Sequence, residues 1–143
     1  PSSVKKIGKK AFEGCDNVTE LSLYYLSEKQ NLVDYFGENS LANIEKINFY
    51  NAEMIPSKFC DGCESLTSLT VGGNPSSIGD YAFRDSVNLS QFEIPSSVTS
   101  IGKYAFYNCE SMTEISIPAI STLFSGSVLP IPILSSASTW IED

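Results

Sequence analysis

A chain of 143 residues carrying a net charge of −8 is a poor partner for nucleic acid or an anionic membrane surface, both of which need clustered Lys and Arg. Its aliphatic and aromatic content is that of a folded protein and argues against global disorder. It has no histidine, which removes the commonest general base, the Ser-His and Cys-His nucleophile arrangements and the commonest zinc ligand.

The chain opens with Pro1-Ser2-Ser3-Val4, then Ile7-Gly8, Ala11-Phe12, Cys15, Val18, Leu21 and Leu23. The same string returns at 71–94, with Ile78-Gly79, Ala82-Phe83, Leu89, Phe92 and Ile94, and most completely at 94–117, IPSSVTSIGKYAFYNCESMTEISI. The last apolar position of each copy falls at Leu23, Phe49, Val71, Ile94 and Ile117, a spacing of 22–26 residues. Such a period marks a solenoid, in which each repeat touches only its neighbours and no single central core exists. Two more apolar columns precede this one: Leu21, Ile47, Leu69, Phe92, Ile115, and Val18, Ile44, Leu66, Leu89, Met112. Hydrophobic-x-x-hydrophobic-x-hydrophobic predicts a short strand with alternate residues inward, and such strands stack in parallel, one per turn, about 4.8 Å apart.

The other half of each repeat predicts short helical or 3₁₀ turns around an aromatic column of Phe12, Phe36, Phe59, Phe83 and Phe106, with brief extended segments near Val4 and Val98. Gly8, Gly79 and Gly102 are expected where the backbone bends or packs too closely for a Cβ. One repeat alone offers too few apolar side chains to offset the entropy of ordering it, so the turns must stack.

Repeat 24–49 departs from the pattern. Ser27-Glu28-Lys29-Gln30 reads as a capping box before Leu32, Val33, Tyr35, Phe36 and Gly37, predicting a helix near 28–36 on the side away from the strands. It lacks the Ile-Gly pair, and Leu41 takes the place of the cysteine. Repeat 50–71 reads as one residue short over Ile55–Phe59 and one long over Cys60–Cys63. From 115 to 141 no residue is charged, and Pro118, Pro130 and Pro132 interrupt the apolar run, which argues against a membrane span. Phe124-Ser125-Gly126-Ser127 echoes the repeat faintly, so 119–143 is expected to be a divergent last turn, a cap or a tail. The start in mid-repeat, with no leader visible, is that expected of a piece of a longer array.

PSSVKKIGKKAFEGC at 1–15, SSIGDYAFRDSVNLSQFEIP at 76–95 and IPSSVTSIGKYAFYNCESMTEISIP at 94–118 resemble the BspA-like class of leucine-rich repeats. The resemblance covers 1–118, about five repeats. It implies an α/β solenoid with a parallel β-sheet on its concave face and short turns on the convex side. It also implies a secreted or surface-attached protein acting in adhesion to host proteins or other cells, with no catalytic motif to carry over.

Cys15, Cys63 and Cys109 share one column with Ser86 and Leu41. This favours a small, buried, weakly polar residue over a disulfide or metal site. Cys15, Cys63 and Cys109 are two turns apart in succession, beyond disulfide reach. A local Cys60–Cys63 bridge stays open, and with no second CxxC and no histidine a zinc site is not expected. No cofactor is expected. Asn17-Val18-Thr19 and Asn88-Leu89-Ser90 fit the N-glycosylation sequon, which matters only in a eukaryotic secretory source; otherwise Asn simply suits that turn.

The strand face is the candidate site. Alternation sends Glu20, Ser22 and Tyr24 outward, then Lys46, Asn48 and Tyr50, then Ser68, Thr70 and Gly72, then Gln91 and Glu93, then Glu114 and Ser116. Tyr24 and Tyr50 become lateral neighbours, with Tyr25 close by. They read either as a binding anchor or as an ordinary cross-strand aromatic pair. Glu93 and Glu114, diagonal on adjacent strands at about 8 Å, have the separation of an inverting glycosidase pair, but an open face argues against catalysis. The expectation is a non-catalytic adhesion module binding a protein or glycan, the alternative a passive spacer. An uncapped solenoid end also permits end-to-end self-association.

Overall fold

The computed structural model describes residues 2–116. Strands β1 (Glu20–Tyr24), β2 (Lys46–Ala52), β3 (Ser68–Gly73), β5 (Gln91–Glu93) and β7 (Glu114–Ser116) recur once per turn of a parallel coil and span four full turns. The register follows the apolar columns: Leu21 pairs with Ile47 and Ile47 with Leu69, Leu23 with Phe49 and Phe49 with Val71, Phe92 with Ile115. Ile44, Ile47, Phe49, Leu66 and Leu89 are fully buried. The expected sheet is nevertheless two ladders, β1-β2-β3 and β5-β7; β3 and β5 lie side by side without ladder pairing.

A second, narrower ladder runs along another side of the coil. Ile55 bridges Ile78, and β4 (Ser77–Ile78) pairs with β6 (Ser100–Ile101). The extended segment expected near Val98 therefore falls at 100–101, and residues around Val4 form none. A Cβ on Gly102 would lie 2.5 Å from the Asp80 nitrogen and 2.6 Å from the Gly79 carbonyl carbon; one on Gly79 would lie 2.7 Å from Ser57 Cα. Gly8 corrects the expectation for its column. Nothing lies within 4 Å of a Cβ there, because the first described turn has no earlier turn packed beneath it.

The turns between ladders carry single i to i−3 hydrogen bonds, such as Ala11 N to Gly8 O, Ser86 N to Phe83 O and Cys109 N to Phe106 O. Outside the second repeat they do not propagate into a helix, because two left-handed residues interrupt each of these turns. The first is Lys10, Lys58, Tyr81 or Tyr104 and the second Gly14, Gly62, Asp85 or Asn108. Gly, Asp and Asn tolerate this conformation best, which explains the second set. The N–H groups left over donate to the next turn: Tyr81 N to Lys103 O, Phe83 N to Ala105 O, Asp85 N to Tyr107 O. The backbone is thus satisfied between turns rather than within them.

The helix expected at 28–36 is shorter and starts later. It is α1 (Leu32–Phe36), followed by α2 (Glu38–Leu41), and its cap is Asn31, whose side chain accepts from Val33 N. Ser27 and Gln30 form no capping box. The buried Gln30 side chain turns inward, accepting from Leu26 N at 2.9 Å and donating to Tyr24 O at 3.0 Å. These bonds satisfy the backbone where β1 ends. Gln30→Ala orphans both groups and is expected to cost about 2 kcal/mol, read as a lower urea midpoint.

The third repeat is also corrected. Cys60 N donates to Ala82 O as Phe83 N donates to Ala105 O, so Cys60 occupies the Phe83 position and Phe59 the Ala82 position. Nothing is inserted or deleted; the small-large order is reversed. Phe59 fills the core from the neighbouring position, 4.6 Å from the Phe49 ring and 6.4 Å from Phe83. Phe83 also packs on Phe92 at 5.5 Å and Phe106 at 5.4 Å. Phe12, in the first described turn, is 38% exposed.

The same reversal turns Cys60 inward beside Cys63, and the two form a fully buried disulfide with Cα atoms 5.4 Å apart. The bridge stands where other turns place a phenylalanine ring and a small residue. Elsewhere in the cysteine column the group donates to the preceding turn: Ser86 Oγ to Cys60 O and Cys109 Sγ to Phe83 O, each 3.2 Å. Burial pushes the Cys109 thiol up to about 12. Cys15, exposed in the first turn, lacks this cover. Iodoacetamide at pH 8 is therefore expected to label one thiol in the native protein, Cys15, and two after unfolding without reductant; mass spectrometry counts them.

Candidate functional site

The outward face of β1, β2 and β3 is built by strand alternation. Glu20 pairs in register with Lys46, Ser22 with Asn48, and Tyr24 with Tyr50. The Tyr24 and Tyr50 rings lie 5.3 Å apart at 41°, and Tyr50 is 39% exposed. β3 brings Gly72 to the next place in this row, where an added Cβ would meet Phe49 O and Tyr50 Cδ1, each at 3.8 Å. Gly72 itself places no side chain beside Tyr50. A β-bulge at Asn51, which is left-handed, ends the regular β2–β3 pairing just beyond.

Tyr25 sits at the rim, with its ring 6.2 Å from Phe49 and its N–H on Tyr50 O at 2.9 Å. Burial, then the charges of Glu53 and Glu28, raises its phenol above the usual range. At the other end of the strands Asn48 Nδ2 reaches Glu20 Oε1 and Ser22 Oγ, each at 3.2 Å, and Lys46 Nζ lies 3.5 Å from Glu20. Exposed pairs of this kind contribute about 0–1 kcal/mol. They fix side-chain positions more than they stabilise the fold.

β5 and β7 present Gln91, Glu93, Glu114 and Ser116, all exposed, with Gln91 opposite Glu114 and Glu93 opposite Ser116. Neither Glu93 nor Glu114 forms an ion pair among the described residues. Because no ladder joins β3 to β5, these residues and the tyrosine row belong to two ladders. Among the described residues no group of three or more His, Cys, Asp or Glu could hold a metal ion.

The sequon asparagines lie outside this face. Asn88 Nδ2 donates to Glu64 O at 2.8 Å, and Asn43, equivalent in the second turn, donates to Asp16 O at 3.1 Å. Asn in this column thus serves the contact to the preceding turn, which supports the structural explanation for Asn88. Asn17 is exposed in the first turn.

One cluster was not read from the sequence. Arg84 grips Asp61 with two bonds, Nε to Oδ1 at 2.7 Å and Nη2 to Oδ2 at 2.8 Å, and lies 5.1 Å over the Tyr81 ring. The bonds to Asp61 raise the Arg84 pKa further. Tyr81 stacks on Tyr104 at 5.4 Å, and Tyr104 meets Tyr107 edge-on at 5.7 Å. The available signal was the recurrence of tyrosine at the same place in consecutive repeats. The stack consumes its own faces, Arg84 on one side and Tyr107 on the other.

A family model described as the BspA type leucine rich repeat region matches residues 1–52 and 53–129, in six copies. The chain belongs to the BspA-type leucine-rich repeats. Repeats of this type are protein-interaction and adhesion modules, generally non-catalytic and typically surface-associated. No curated protein and no solved structure matches the chain significantly. Among the described residues no helix is long and apolar enough to cross a membrane. The region expected to be a cap or tail, 119–143, lies outside the described residues.

Proposed function

We propose that this BspA-type chain is a non-catalytic recognition module of a surface or secreted protein, binding a protein or glycan through its strand face. The observation that carries the reading is the Tyr24–Tyr50 pair on the outward face, with Tyr24 half-buried, Tyr50 39% exposed and the side-chain-free Gly72 next in the row. Tyrosine offers large contact area at low entropic cost and is enriched in binding hot spots. Around it, Glu20, Lys46, Asn48, Gln91, Glu93 and Glu114 supply polar contacts. The buried Cys60–Cys63 disulfide suits an oxidising, extracellular compartment.

A spacer role is favoured by one observation: the two tyrosines also satisfy each other as a cross-strand pair. Binding of the purified chain to a panel of matrix proteins and glycans, beside Tyr24→Ser/Tyr50→Ser checked by circular dichroism, separates the readings. Recognition requires binding that is lost in the folded double variant. Equal binding by both moves the site elsewhere, and no binding by either favours the spacer.

A further inference from the structure

We infer that the strand face takes a basic segment of a partner protein, seating one cationic side chain against Tyr24 and Tyr50 and a second against Glu93 and Glu114. This deepens the recognition reading and rests on it. On the described strand face the acidic residues are Glu20, Glu93 and Glu114, and the basic residue is Lys46. Lys46 is already engaged by Glu20, so the face is left with two carboxylates that have no cationic partner among the described residues. Three of the other eight cations are paired elsewhere: Lys9 faces Asp34, Lys10 faces Glu13, and Arg84 holds Asp61.

The tyrosine end points to the same ligand. The face of an aromatic ring is the negative end of its quadrupole and attracts ammonium and guanidinium groups. Tyr50 is 39% exposed, and Gly72 places no side chain beside it. Beyond the strand ends, Glu28 and Glu53 lie close enough to Tyr25 to act on its phenol, and Lys29 adjoins Glu28 in the chain. An aromatic pair on a face whose unpaired charges are the carboxylates of Glu93 and Glu114 suits a cation and repels an anion. Sulfated and sialylated glycans are disfavoured.

Spacing adds a constraint. Glu93 lies in the row of Asn48 and Thr70, so it stands two strands across and two residues along from Tyr50, about 12 Å away at sheet spacing. An extended chain covers that distance in about four residues, and an even interval keeps both side chains on one face. The fitting segment is therefore an extended strip with Lys or Arg four residues apart.

The test uses the intact chain and three probes in fluorescence anisotropy. The first is a labelled Ser/Gly-rich peptide with two Arg four residues apart, the second its Gln-for-Arg counterpart, the third labelled heparin. The inference expects the basic peptide to bind, the neutral one to bind at least tenfold more weakly, and heparin not to bind. Glu93→Gln/Glu114→Gln and, separately, Tyr50→Ser should each weaken the basic peptide about three- to tenfold with an unchanged circular dichroism spectrum. Equal binding of basic and neutral peptides, preference for heparin, no binding of the basic peptide, or binding indifferent to the glutamate pair overturns it. If a panel target is still lost in Tyr24→Ser/Tyr50→Ser under any of these results, strand-face recognition stands and only the basic character of the partner falls.

Discussion

Phe83→Ala is expected to lower unfolding free energy by about 3–5 kcal/mol, a third or more of the stability of an ordinary domain. The residue is fully buried and its ring meets Phe59 of the preceding turn, Phe92 of its own and Phe106 of the following one. Truncation therefore opens a cavity at two stacking interfaces at once, and the hydrogen-bonded turns on either side cannot collapse to fill it. Phe12→Ala provides the comparison. Phe12 belongs to the same sequence column but is partly exposed, and its one aromatic neighbour among the described residues is Phe36, with centroids 5.0 Å apart. Its loss should stay below about 1.5 kcal/mol. Urea unfolding followed by circular dichroism measures both; equal losses would mean that the column is not stacked as described.

Gly102→Ala should be nearly as damaging, at about 3 kcal/mol, for the opposite reason. The added methyl meets backbone of the preceding turn, Asp80 N at 2.5 Å and Gly79 C at 2.6 Å. Neither side can retreat freely. Gly102 N is bonded to Ile78 O at 2.7 Å, and Asp80 Oδ1 accepts from Lys103 N at 2.9 Å. Gly8→Ala, at the equivalent place in the first turn, meets nothing within 4 Å and should be neutral or stabilise by about 0.4–1 kcal/mol through the unfolded chain. Thermal melts of the two variants side by side distinguish a contact between turns from a local preference for glycine.

That pair of glycines also marks how far the sequence is legible. Repetition identifies which residues are equivalent, so the strand register, the three inward columns and the Tyr24–Tyr50 juxtaposition followed from spacing alone. It does not say what stands above or below a position, which is why Gly8 was read like Gly102. The Phe59-Cys60 reversal was hidden because aligning the phenylalanines is the natural reading. Only the bonds from Lys58, Cys60 and Gly62 to the fourth turn reveal that the backbone kept step while the side chains exchanged places. Gln30 was read as part of a local cap because its long-range partners, the Tyr24 carbonyl and the Leu26 amide, cannot be seen in a four-residue window. The Arg84–Tyr81–Tyr104 stack depends on side chains leaving consecutive turns in the same direction from left-handed residues, a conformation that tyrosine does not advertise. On the candidate face, the outward residues were legible and the break between β3 and β5 was not.

The central claim is that partners meet the strand face, and two tyrosines of nearly equal exposure test it most directly. Tyr50, 39% exposed, lies on that face, and Tyr107, 42% exposed, lies in the stack on the turns away from it. Hydroxyl-radical footprinting with and without a panel protein or the basic peptide compares them within one molecule. The account predicts that Tyr50 oxidation falls severalfold on binding while Tyr107 is unchanged. Protection of Tyr107 with Tyr50 unaffected would contradict it and place recognition on the turns.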